Sequence, residues 1–179
     1  MNSIAIFYGS TDGHTAATAA RLKTMLDDLL ASVGAQKVEL FDIADYYLEE
    51  MLDFDCLILG VPTWNHGQLQ RDWQGVIEEF AALDLTGKRA AVFGLGDQAG
   101  YPDTFVDALF FIADQLRQSG AQVFGSWPID GYEFRASWAV EEGRFIGLVL
   151  DEDNQQAQTA ERLAAWSRQI LREFGLPTP

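Results

Sequence analysis

The strongest constraint on this chain is a regular alternation of short apolar runs with longer segments of helical periodicity. Residues 3–8 (SIAIFY), 37–41 (KVELF), 56–61 (CLILGV), 88–96 (KRAAVFGLG) and the stretch opening at 121 (AQVFGS) read as strands. From His14 onward Leu22, Met25, Leu26, Leu29, Leu30 and Val33 recur at helical spacing, and Gly34 ends the pattern. Residues 73–83 (WQGVIEEFAAL) predict a second helix. Phe105, Leu109, Ile112 and Leu116 predict a third, stopped by Gly120, and Leu163, Trp166, Ile170 and Phe174 a last one before Gly175 and Pro177. Strands alternating with helices specify βαβ units and a parallel sheet covered on both faces. The expected architecture is a single α/β domain over residues 1–179, core about 3–174. It has three layers and a five-stranded parallel sheet in the order 2-1-3-4-5. Residues 127–146 (WPIDGYEFRASWAVEEGRFI) show no helical period. They are expected to be an insertion within strand five, which resumes near IGLVL; a structural β-hairpin excursion is the plainer reading of the same stretch.

Composition removes several function classes. The net charge is −15, from 27 acids against 12 bases, so the basic footprint that nucleic acid requires is absent. No apolar run approaches the ~20 residues of a membrane span. No basic segment followed by an apolar stretch opens the chain, so no secretory signal is expected. The expectation is a cytoplasmic monomer. Cys56 is the one cysteine and lies in an apolar run, as a buried structural thiol would. The acidity either steers encounter with basic proteins or merely aids solubility, and on composition the two stand level.

In such sheets ligands bind beyond the carboxyl ends of the strands, where the strand order reverses. The loops after strands one, three and four therefore matter most. After strand one, GSTDGHT (9–15) runs straight into a helix, whose first amides point outward and carry partial positive charge. Ser10, Thr11 and Thr15 add hydroxyls, and Gly13 permits close backbone approach. The loop suits a phosphate, and it suits an ordinary N-cap equally well. It has no lysine, which excludes a Walker loop. Phe7-Tyr8-Gly9 offers no acids for the magnesium of a receiver domain. GLGDQAG (94–100) fits only the looser dinucleotide fingerprint, with Ala99 in the third glycine's place, and it follows the wrong strand. PTWNHG (62–67) sets Trp64 in a loop, and GDQAGYP (96–102) sets Tyr101 in another. Two such rings can sandwich a planar one, with Asp97 and loop amides on its polar edge; a surface-packed indole is the alternative for Trp64. A phosphate at one end and a flat heterocycle at the other describe flavin mononucleotide (FMN).

The pieces FYGSTDGHT, LILGVPTWNHGQLQRDW, VFGLGDQAGYPDTF, GSWPIDGYEF and FIGLVLDEDNQ, in this order, span nearly the whole chain. Together they resemble a long-chain flavodoxin, and the stretch at about 127–146 is what separates long-chain from short-chain members. The resemblance implies a flavodoxin-like fold in which Ser10, Thr11, Asp12, Gly13, His14 and Thr15 hold the phosphate of FMN. It implies that Thr63, following Pro62, contacts the ribityl chain. Trp64 would cover the inner flavin face and Tyr101 the outer. The peptide joining Asn65 and His66, before Gly67, would adjoin flavin N5. Leu95, Gly96, Asp97 and Gln98 would line the pyrimidine edge, with Thr104 and Asp153 as further ribityl candidates. Thr104 stands where many relatives carry asparagine. Asp12 stands where the family's loop carries threonine, and it brings acceptors where a phosphate wants donors. The expectation is that its carboxylate turns to solvent, leaving the loop amides in place.

The resemblance also implies function: a low-potential one-electron carrier cycling between semiquinone and hydroquinone. Electrons would come from a reductase like ferredoxin or flavodoxin–NADP reductase, with a basic docking surface, and pass to an unidentified acceptor protein. No catalytic residue and no metal are expected. The alternative is an FMN-dependent NAD(P)H or quinone reductase on the same fold, which needs an open flavin face that Trp64 and Tyr101 would deny. Both histidines, His14 and His66, fall in cofactor loops. Histidine titrates near neutrality, so His66 is expected to make the second reduction step pH-dependent.

Overall fold

The computed structural model describes residues 2–178. Its main sheet is built on β1 (Ile4–Tyr8), β2 (Glu39–Asp42), β3 (Cys56–Trp64) and β5 (Arg89–Leu95), in the order β2-β1-β3-β5 and all parallel. β4 (Gln68–Leu69) is a short antiparallel return against the end of β3. The fifth position is shared. β6 (Gln122–Phe124) pairs with Arg89–Ala91 and β10 (Leu148–Leu150) with Phe93–Leu95. The two halves flank one strand, as the sequence led us to expect, and apart from the two-residue β4 the order is the expected 2-1-3-4-5.

Alternate side chains of each strand enter opposite layers. Ile4, Ile6, Cys56, Ile58, Ala91 and Phe93 pack with Leu22, Leu26 and Leu30 of α1 (His14–Ala31) and Leu163, Trp166 and Ile170 of α4 (Thr159–Glu173). Ala5, Phe7, Leu57, Leu59 and Val92 face the other way, onto Trp73 of α2 (Arg71–Val76), Phe80, and Leu109, Ile112 and Leu116 of α3 (Ala108–Gln118). Strands apolar on both sides are the reason the runs read as continuous rather than alternating. Cys56 lies wholly inside, and burial pushes its thiol up to about 11, so it is inert at neutral pH.

Two elements differ from expectation. The helix expected at 73–83 is α-helical only to Val76; Ile77–Ala82 continue as 3₁₀ turns. Gly75 followed by two β-branched residues weakens α-helix locally, and Val76, at φ −115, marks the break. A further 3₁₀ segment, Leu48–Asp53, buries Leu48 and Met51 where no helical period signalled it. The insertion between β6 and β10 carries its own antiparallel sheet, β7 (Trp127–Pro128), β9 (Arg144–Phe145) and β8 (Val140–Glu141) in that order. Phe145 and Tyr132 pack on Phe105, and the Tyr132 hydroxyl donates to the Val149 carbonyl at 2.6 Å. No helix among the described residues is long and apolar enough to cross a membrane.

Candidate functional site

Between β1 and α1 the chain turns through Gly13, left-handed at φ 91. Ser10 Oγ accepts the Gly13 amide at 3.2 Å, and Asp12 Oδ1 accepts the His14 amide at 3.2 Å. The expectation for Asp12 needs correction here. The side chain is exposed, yet it folds back onto an amide of the helix start instead of leaving that amide in place. A carboxylate two residues before an N–H closes a short local ring, and the positive end of the helix favours it. Thr15 is 1% exposed, and its Oγ1 is the one buried side-chain polar atom without a hydrogen-bond partner among the described residues. A buried hydroxyl in that state is costly unless a ligand completes it. An anion with several acceptor oxygens fits.

The second loop is a three-residue hairpin turn, Asn65–Gly67, between Trp64 and its partner Gln68. Asn65 and Gly67 are both left-handed, at φ 46 and 83. Asn65 tolerates this better than other side-chain-bearing residues. Gln70, buried, ties this loop to the first: its Oε1 accepts the Asp72 and Trp73 amides at the start of α2, and its Nε2 donates to Thr11 Oγ1 at 3.1 Å. A Cβ on Gly9 would collide with Gln70 Oε1 and lie 2.9 Å from Trp73 Cδ1, so the two loops meet only because residue 9 is glycine.

The third loop follows β5. Asp97 Oδ1 accepts from the Gly100 amide at 2.8 Å, the Asn154 side chain at 2.8 Å and the Ala99 amide at 3.1 Å. These bonds, the Gly100 amide foremost, hold its carboxyl below the usual range. Gln98 is turned inward: its amide and Nε2 both donate to Asp151 Oδ2, and its Oε1 accepts the Glu133 amide from the insertion. The His66 and Tyr101 rings meet edge to face, centroids 5.6 Å apart.

These loops enclose a cleft of about 250 Å³. Asp12, His14, Thr15, Pro62, Thr63, Trp64, Asn65, Leu95, Gly96, Asp97, Tyr101 and Asp153 line it, together with Glu152, which the sequence did not single out. Thr11, His66 and Gly67 line a neighbouring groove that shares Trp64 and Asn65. Ser10, Gly13, Gln98 and Thr104 line neither. No lysine or arginine lines the cleft. Asp97, Asp151 and Asp153 bring carboxylate oxygens within 4.8 Å of one another. Asp151 spends its oxygens on Gln98 and Asn154 donors. Partial burial first, then Asp97 and Asp151, push the Asp153 carboxyl upward. The cleft thus offers hydroxyl and amide donors at one end, two aromatic walls, and a negative field along the rest.

The flavodoxin family profile matches residues 6–166. The chain belongs to the flavodoxin family. A flavodoxin of Picosynechococcus sp. is 42% identical over 98% of this chain and all of its own length. Flavodoxin 2 of Escherichia coli is 39% identical over 96% of both. Among solved structures, the Fusobacterium nucleatum flavodoxin bound to flavin mononucleotide superposes with a TM-score of 0.89 at 29% identity, covering 97% of this chain and 99% of that one. Flavodoxins are electron-transfer proteins rather than enzymes, and the antiparallel insertion fits the long-chain form. Within this family frame, Gln70, Glu152 and Asn154 went unread in the sequence. The run DEDN at 151–154 carried a signal, since clustered Asp and Asn after a strand mark a turn. Gln70 carried none, because its partners lie in another loop.

Proposed function

We propose that the chain is a low-potential one-electron carrier that holds FMN non-covalently across the cleft and the three loops around it. One observation carries the reading: Thr15, whose buried hydroxyl has no partner among the described residues, lines the same cleft as Trp64 and Tyr101. When bound, FMN supplies the one-electron chemistry. The chain supplies binding and electrostatics. Ser10, Thr11, Gly13, His14 and Thr15 hold the phosphate through amides and hydroxyls. Thr63 holds the sugar-alcohol chain, with Asp153 and Thr104 as further candidates. Trp64 and Tyr101 cover the ring faces and exclude water. Pro62, Leu95, Gly96 and Asp97 would present the edge of the ring site, Gln98 bracing that loop from inside through Asp151 and Glu133, and the Asn65–His66 peptide, leading into Gly67, would present a backbone group to its reactive middle. With Asp97 held ionised and no lysine or arginine in the lining, added negative charge is disfavoured, so a second electron on bound FMN would enter at low potential.

The test is titration of apoprotein with FMN, followed by the visible spectrum at half reduction. Failure to take up FMN, or direct two-electron reduction, overturns the proposal. Bleaching by NADPH alone, without a partner protein, would favour the reductase alternative. The proposed electron donor is a reductase with a basic docking surface, and its encounter rate should fall steeply with salt.

Two further outcomes are expected. Asp12→Thr removes a carboxylate that competes for the His14 amide and repels a phosphate. FMN should then bind roughly tenfold more tightly, about the worth of one ionic hydrogen bond. An unchanged dissociation constant would remove Asp12 from the argument. The second concerns His66, which stands in the turn against Tyr101. A cationic imidazole stabilises added negative charge, so the second-electron potential should be higher in acid than in base. His66→Gln should flatten that dependence in a spectroelectrochemical series; an identical slope rules His66 out.

A further inference from the structure

Two adjacent residues press on two of the cleft's loops from behind. A Cβ on Gly96 would lie 2.7 Å from Val106 Cγ1, and a Cβ on Gly67 would lie 2.8 Å from Asp107 Oδ2. Val106 does this from a left-handed backbone, φ 51, a strained conformation for a β-branched residue. Such strain persists only where the surroundings over-determine it, and here they do. The Phe105 amide donates to the Ala136 carbonyl at 3.3 Å, and Ser137 Oγ donates to the Phe105 carbonyl. The Trp138 amide donates to Asp107 Oδ1 at 2.8 Å. On the other side, the Ala108 amide donates to Thr63 Oγ1 at 3.2 Å. The insertion therefore grips the segment that backs the cleft loops.

We propose that Asp107 is a positioning residue for the Asn65–Gly67 turn, and that the insertion fixes Asp107 through the Trp138 amide. The proposal rests on the cofactor reading above, since this turn carries the Asn65–His66 peptide. Asn65, a residue with a side chain held left-handed at φ 46, is a strained position that persists only where its surroundings hold it. Asp107, 6% exposed, packs directly over Gly67, so close that a Cβ there would lie 2.8 Å from its Oδ2, and so braces the turn from one side.

Asp107→Ala empties that space and leaves the Trp138 amide unpartnered. In the apoprotein, amide hydrogen exchange at 65–67 should become roughly tenfold faster, while β1 and β5 keep their protection. Asp107→Asn keeps the volume and an acceptor and should restore the wild-type rate. With FMN saturating, the first-electron potential should move in Asp107→Ala and return in Asp107→Asn, which a merely structural role would not produce. Should Asp107→Ala fail to fold, Asp107→Ser carries the same comparison. Wild-type exchange at 65–67 in the truncated variant, or an unmoved potential, overturns the proposal. A chain that takes up no FMN would overturn the cofactor reading instead, and the exchange measurement would still decide the role of Asp107.

Discussion

Gly147→Ala is expected to cost about 3 kcal/mol or more of folding stability. Gly147 is the residue through which the insertion returns to the sheet, just before β10. A Cβ there would overlap the Val92 carbonyl oxygen and lie 2.7 Å from Val92 Cγ2. Val92 belongs to β5, which is paired on both sides, so the obstacle is backbone that cannot yield without opening the sheet. Against a total stability of roughly 5–15 kcal/mol, the loss is a large fraction. Gly75→Ala is the control: nothing lies within 4 Å of its added methyl, and it sits in α2. It should stabilise by about 0.5–1 kcal/mol through helix propensity. Urea unfolding of the two apoprotein variants measures both. A Gly147→Ala midpoint within experimental error of wild type would mean that β10 does not lie against β5 in this way.

Thr15→Val should separate stability from binding. The hydroxyl is buried without a partner, so replacing it with a methyl of the same shape should stabilise the apoprotein by about 1 kcal/mol. The same change removes a donor to the phosphate, and a hydrogen bond to an ionised group is worth about 1.5–3 kcal/mol, so FMN affinity should fall roughly 10- to 100-fold. Thermal unfolding without FMN and titration with it give the two numbers. A destabilised apoprotein would show that Thr15 has a partner after all. Unchanged affinity would place the phosphate elsewhere. Opposite signs in one variant are what distinguish a binding residue from a packing one.

Much of the fold was legible because strand and helix periods are local. The run at 56–61 could be read as buried on both faces from its own composition, and Cys56 as an inert thiol with it. The second helix was misjudged at its far end, where Gly75, Val76 and Ile77 weakened the pattern and packing of Trp73 and Phe80 kept the chain turning. At the site, Thr15, Trp64 and Tyr101 were legible by type and by place at strand ends. The direction of the Asp12 carboxylate was not. It depends on competition between solvent and one helix amide, and a list of residues does not rank those two.

The sequence by itself determined the layers and the loops that form the cleft, because each follows from patterns within a few residues or from turn chemistry at a strand end; the strand order followed from the fold class, and the family from the resemblance of whole segments taken together. Only the tertiary structure decided which side chains those loops share. Gln70 reaching Thr11, Gln98 reaching Asp151 and Glu133, and Asp107 backing Gly67 all join residues at least 35 positions apart. Such contacts depend on how twisted strands and packed helices set their ends in space, and no local period encodes that. The same holds for the orphaned hydroxyl of Thr15: its type was visible in the chain, but its want of a partner exists only once the chain around it has folded.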